Sequence, residues 1–120
     1  MDNNPKTAMG ALKVQMHTIP QSALVALGHR MQHGAEKYGA FNWRTEPIST
    51  SVYISSIMRH LAAFADGEWE DVECPRGSSH LSAIMACCAL LIDSEGLGTL
   101  IDDRPPPNPY TIKLLNGEVK

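Results

Sequence analysis

The sequence predicts an all-α protein: a small bundle of about three main helices with an N-terminal arm and a proline-rich C-terminal tail, completed by self-association. Two observations predict it. Apolar residues recur at three- and four-residue steps in three separate stretches. Each stretch is also bounded by residues that cap or break helices. A length of 120 residues suits one domain, so residues 1–120 are taken as a single unit with a core at about 19–96 and arms at 1–18 and 97–120.

Residues 1–18 lack sustained periodicity and carry Pro5 and Gly10, which makes them an arm that must dock on something to be ordered. The first helix starts near Pro20, a plausible first helical position. Its stripe is Leu24, Leu27, Met31 and Ala35, and Gly39 lies beyond its end. The segment Ala40–Pro47 is a loop with two large aromatics. Ser49, Thr50 or Ser51 then offers a cap for a second helix with Tyr53 or Ile54, Ile57, Leu61 and Phe64 inward, stopping near Asp66-Gly67. Pro75 and Gly77 interrupt the chain again. Ser78 or Ser79 caps a third helix with Leu81, Ile84, Cys88 and Leu91 inward, ending at Gly96. Pro105, Pro106, Pro107 and Pro109 forbid a continuous helix afterwards, and leave room for a short element at Tyr110 to Leu115. Three helices make a thin core, and arms at both ends need a surface, so a homo-oligomer is expected.

The apolar fraction of 43% and the charged fraction of 19% are ordinary for a globular chain, and no apolar run approaches the roughly 20 residues of a bilayer span, so no membrane partner is expected. The start Met1-Asp2-Asn3-Asn4-Pro5-Lys6 lacks the basic and apolar parts of an export signal. Cys74, Cys87 and Cys88 are odd in number and without Cys-x-x-Cys spacing. They argue against a disulfide framework or a structural zinc site and fit a reducing cytoplasm. A formal net charge of -3 disfavours a nucleic-acid partner. Arg30, Lys37, Arg44, Arg59 and Arg76 could still hold one small polyphosphate.

Glu68 and Asp71 are three apart, a spacing that on a helix sets two hard oxygen donors on one face, where they can share a divalent cation. A solvated acidic turn is the alternative. His60 lies at the edge of the second helix's stripe, and His80 faces inward at the start of the third. A neutral imidazole there could ligate metal or act as a base, or simply be a hydrogen-bonded core histidine. His17, His29 and His33 have no comparable setting. The segment from Gly34 to Arg44 interleaves Lys37, Tyr38, Phe41, Asn42, Trp43 and Arg44, the residue types that stack on a base, read its edge and hold phosphates. A helix end capped by aromatics would use them too. No P-loop occurs, nor an adjacent His-Asp dyad.

In order along the chain stand Asn4-Pro5-Lys6-Thr7, Lys13, His17 to Pro20, Gly34-Ala35-x-Lys37-Tyr38-Gly39, Asn42-Trp43-Arg44, Ser51-Val52-Tyr53-Ile54, Arg59-His60-Leu61, Gly67-Glu68, His80-Leu81 and Leu100-Ile101-Asp102-Asp103-Arg104-Pro105. This succession resembles the phage and prophage family of dATP/dGTP diphosphohydrolases, relatives of the all-helical MazG-like pyrophosphohydrolases. The resemblance implies metal-dependent cleavage of a deoxypurine triphosphate to monophosphate and pyrophosphate. It implies Mg²⁺ or Mn²⁺ on Glu68, Asp71, His60 and His80, with Glu68, Asp71 and His80 catalytic. Substrate would be held by Lys37, Tyr38, Asn42, Trp43, Arg44 and Arg59. Against the MazG-like pattern the chain lacks an earlier Glu-x-x-Glu pair, and Ala83 stands where a second histidine is expected. Two rivals follow: a phosphohydrolase for another nucleotide, and a non-catalytic nucleotide- or partner-binding helical module. Pairing of Glu68 or Asp71 with an arginine would favour the module.

Overall fold

The computed structural model describes residues 2–74 and 78–118. Among the described residues five α-helices follow one another: α1 (Pro5–Gly10), α2 (Gln21–Tyr38), α3 (Thr50–Ala65), α4 (His80–Leu97) and α5 (Pro109–Leu115). Single 3₁₀ turns lie at Met16–Thr18 and Asn42–Arg44. Among the described residues no strand forms, and the extended contacts are two isolated bridges. The all-α expectation with three main helices holds. The N-terminal arm is not wholly irregular, because Asn4 accepts from the Lys6 N–H at 2.9 Å and Pro5 opens a short helix.

α4 is the centre. It runs antiparallel to α3, as His60 meets His80 at one end and Ser56 meets Cys87 further along. α2 packs on α4 as well. The link between α2 and α3 is pinned to α4 by Trp43, which is buried and donates its indole N–H to Asp93 at 2.7 Å. Arg44 grips the same carboxylate through Nε and Nη2, both at 3.0 Å.

α3 starts at Thr50 with Ser49 as its flanking residue, but no Ser49 side-chain bond caps it. The cap comes from far along the chain. Thr50 donates its N–H to the Ile101 carbonyl, and Asp103 accepts from the Ser51 N–H at 2.8 Å and bonds the Ser51 hydroxyl. The stretch from residue 97, expected to be an extended arm that needs a surface, is therefore tied down as far as Asp103. α4 is capped by Ser79, whose hydroxyl accepts from the Ser82 N–H, and it ends at Leu97, one residue later than expected, with Gly98 left-handed at φ 73°. The Pro75 and Gly77 break lies outside the described residues.

Several inward assignments need correction. Leu24, Ile54, Leu61, Leu81 and Cys88 are exposed on the chain. The inward face of α3 is Tyr53, Ser56, Ile57, His60 and Phe64, all at least half-buried, and α4 buries His80, Ser82, Ala83 and Ser94. The buried apolar residues among those described are only Trp43, Ile48, Cys74 and Ala83. α4 also revises the membrane argument: by length and composition alone it is apolar enough to span a bilayer.

Two glycines of α4's end separate conformational strain from helix propensity. Neither would bring a Cβ within 4 Å of anything, but Gly98 needs φ > 0 and Gly96 does not. Gly98→Ala is expected to lower unfolding stability by about 1 kcal/mol, and Gly96→Ala to raise it by about 0.5–1 kcal/mol. Urea titration of the two variants checks the opposite signs.

Candidate functional site

Where α3 and α4 meet the connection between them, four ionisable side chains converge. The chain leaves α3 at Ala65, turns through Gly67 at φ 105°, and crosses the start of α4 as an irregular segment. That crossing is fastened by an antiparallel bridge between Glu70 and Ser79. The Asp71 N–H donates to the Ser78 carbonyl at 3.0 Å and the His80 N–H to the Trp69 carbonyl at 3.1 Å. Glu68 and Asp71 are thus not one face of a helix, and their spacing does not act through helical geometry.

His80 sits at the centre, buried, with both ring nitrogens engaged. Its Nε2 lies 2.6 Å from Glu68 Oε1, and its Nδ1 lies 2.8 Å from His60 Nδ1. A carboxylate accepts, so Nε2 of His80 carries the proton there. A neutral His80 then offers its Nδ1 lone pair, His60 must donate from Nδ1, and the basic lone pair of His60 falls on Nε2. Burial is the first cause that lowers the His60 pKa below its ordinary 6.5. Arg30, His80 and Arg59 add to the lowering, against an opposing pull from Asp71.

Asp71 lies on the other flank. One ligand atom each of His60, Asp71 and His80 fall within 4.8 Å of one another, a possible metal cluster. Asp71 is buried and already partnered: Arg30 Nη1 lies 2.7 Å from Oδ2, and the Glu73 N–H donates to Oδ1 at 3.2 Å. Burial pushes the Asp71 carboxyl up, but Arg30 and the Glu73 N–H outweigh it and leave the pKa below 3.8. Arg30 also donates to the Ser78 hydroxyl at 3.3 Å, which donates in turn to Cys74 Sγ at 2.9 Å.

His60, Glu68, Asp71 and His80 are therefore together, with Arg59 next to His60 on exposed α3 surface. The loop residues are elsewhere. Trp43 and Arg44 bind Asp93, 13 residues along α4 from His80, an axial separation of about 20 Å. Their side chains lock a loop, and within one chain they do not reach the histidines. Lys37 lies 5.2 Å from the centre of the exposed Tyr38 ring, and the Asn42 carbonyl accepts from Thr45 and Glu46 in the same loop. Sequence reasoning names Arg30 only as one of five cations for a polyphosphate, sets His29 aside and does not find Trp69. His29, Trp69, Glu70, Ser78, Ser79 and Ser82 line a small cleft of about 250 Å³ beside the cluster. Arg30 had a signal: it stands three residues after Leu27 on the half-buried side of α2, and a cation there demands an acid partner.

The depressed pKa of His60 has a stability consequence. The unfolded chain binds this proton more readily than the native one, so stability is complete above about pH 6.5 and falls as acid titrates His60 through its lower native value. Protonation of Asp71, below 3.8, removes more. Thermal midpoints recorded from about pH 8 to about pH 4.5 are expected to decline, and His60→Gln to flatten the first part of that decline. Identical profiles for both proteins would remove His60 as its source.

No curated protein and no solved structure matches the chain. The family model described as dATP/dGTP diphosphohydrolase, N-terminal, matches residues 3–104, which covers all the elements that build the cluster, and the chain belongs to that family.

Proposed function

We propose that the chain hydrolyses dATP or dGTP to the monophosphate and pyrophosphate at a divalent cation held between α3, α4 and the segment joining them. The observation that carries this reading is the His60–Asp71–His80 cluster, backed by Glu68, in a member of a diphosphohydrolase family. The donor set fits a cation. Glu68 holds the Nε2 proton of His80 and so turns its Nδ1 lone pair into the cluster, the carboxylate–histidine arrangement that orients metal ligands. Two nitrogens on one cation would not sit as close as the 2.8 Å of this pair, so the contact would open by a few tenths of an ångström and the proton on His60 Nδ1 would move to its Nε2. Two imidazoles and one carboxylate suit Mn²⁺ better than Mg²⁺, which favours oxygen donors.

A bound cation would supply charge neutralisation at the phosphates and a lowered pKa for an attacking water. The chain's own residues do the rest. Glu68 fixes the orientation of His80, and among the described residues Arg30 and Arg59 are the cations near enough to take phosphate charge. The 37–44 loop would join a nucleotide site only by contact beyond the single chain. Assembly of further copies supports that role, because a radius of gyration of 18.3 Å exceeds the roughly 14 Å of a compact chain this long. Residues 1–120 would act as one domain, in a cytoplasm where the nucleotides are.

One observation favours the second reading. Asp71 is already neutralised by Arg30, which is what a structural ion pair in a non-catalytic binding module would show. Substitution separates the two. With Mn²⁺, pyrophosphate release is expected from dATP or dGTP and from no ribonucleotide or pyrimidine substrate. Glu68→Gln should lower it about 10- to 100-fold with unchanged helicity. Arg30→Gln should tighten Mn²⁺ binding, read by electron paramagnetic resonance, by freeing Asp71. A folded protein that binds no Mn²⁺ with either side chain at 30 and releases no pyrophosphate is the module; release from a pyrimidine triphosphate instead redirects the substrate alone.

A further inference from the structure

We propose that the cleft beside the cluster is a nucleobase subsite, and that Glu70 and Trp69 make it select guanine over adenine. It rests on the reading above that the chain acts on a purine nucleotide at the cluster, and it chooses between the two bases. The cleft lies between α2, which gives Ala26 and His29, the crossing segment, which gives Trp69 and Glu70, and the start of α4. Its volume of about 250 Å³ falls below the roughly 300–1,000 Å³ of sites that enclose a whole drug-sized ligand. It therefore suits one planar ring system, with the sugar and phosphates outside.

The position lets those phosphates reach the cluster. The Trp69 carbonyl accepts from the His80 N–H, Ser78 on the cleft wall accepts from Arg30, and Arg30 follows His29 on α2. Cleft and cluster thus share a wall. The serine hydroxyls there are committed, Ser78 to Cys74 Sγ and Ser82 to the Ser79 carbonyl at 2.6 Å, so these small side chains supply shape. Trp69 is 59% exposed yet steadied by Phe64, whose ring centre lies 5.1 Å away. An indole held at an open cleft offers a stacking face to any base.

Glu70 supplies the choice. Its bridge to Ser79 uses the backbone, and among the described residues its carboxylate has no hydrogen-bond or ion-pair partner. A carboxylate only accepts, so it matches a base edge with two adjacent donors. Guanine has them at N1–H and the 2-amino group. Adenine sets a single amino donor beside a bare N1, whose lone pair the carboxylate repels, and cytosine and thymine each place an acceptor next to their one donor.

The test measures binding of non-hydrolysable α,β-imido analogues of dGTP, dITP and dATP to the full chain with Mn²⁺, by calorimetry. The dGTP analogue should bind at least about tenfold tighter than the dATP analogue, with dITP, which lacks the 2-amino group, between them. Glu70→Gln should bring the three within about twofold, and Trp69→Leu should weaken all of them about tenfold, with Trp69→Phe restoring most of the loss. Should the variants lose helicity, the wild-type ranking still decides, because equal affinities or a preference for adenine overturn the proposal. So does a guanine preference that survives Glu70→Gln, and one that falls with Tyr38→Leu instead assigns the base to the 37–44 loop. Pyrophosphate release is scored separately. Release without the ranking overturns the cleft and leaves the hydrolysis, whereas the ranking without release supports the cleft and removes the hydrolysis.

Discussion

His80 ties three parts of the molecule together, and the site exists because it does. Its backbone N–H holds the Trp69 carbonyl, its Nε2 holds Glu68, and its Nδ1 meets His60 on α3, while Ser79 before it caps α4. A buried imidazole without partners costs stability, and here each polar atom has one. The geometry leaves one proton between the two Nδ1 atoms, so at least one ring must be neutral. The burial that lowers the His60 pKa supplies that condition, and a pair of neutral rings is what a cation requires.

Charge at the cluster balances in two ways. With Arg30 on Asp71, the guanidinium neutralises a carboxylate that burial would otherwise penalise. If a cation takes Asp71, Arg30 loses its partner at a mostly buried position and needs a new anion nearby. A polyphosphate provides one. The same five side chains are thus compatible with a closed ion pair and with a loaded site, and the cost of moving between them is the Arg30–Asp71 bond. This is why Arg30, rather than any of the carboxylates, distinguishes an enzyme from a binding module.

The helices were legible because period and caps are local. Gly39 and Ser79 sit where composition places them, and α3 stops at Asp66-Gly67 as read. What failed was the choice of face. α3 and α4 each have apolar residues on more than one side, so periodicity alone could not say that Leu61 and Cys88 point outward while His60 and Ala83 point in. Glu68 and Asp71 were found as residues but misread as geometry, because the left-handed Gly67 and the Glu70–Ser79 bridge take the segment out of the helix. The Asp103 cap and the Arg30 pair span about 50 and 40 positions. No local pattern records such contacts. Asn42-Trp43-Arg44 looked like ligand chemistry because the residues that grip a nucleotide are also those that grip a carboxylate on a neighbouring helix.

The apolar packing and the polar cluster share α3 and α4, and this couples them. Tyr53, Ile57 and Phe64 set the spacing of the helices, and the cluster closes one end of the seam between them. Opening the 2.8 Å histidine contact by a few tenths of an ångström requires α3 and α4 to part slightly at that end or the rings to rotate. A core as thin as this one, with four buried apolar residues among those described, has few other contacts to absorb the strain.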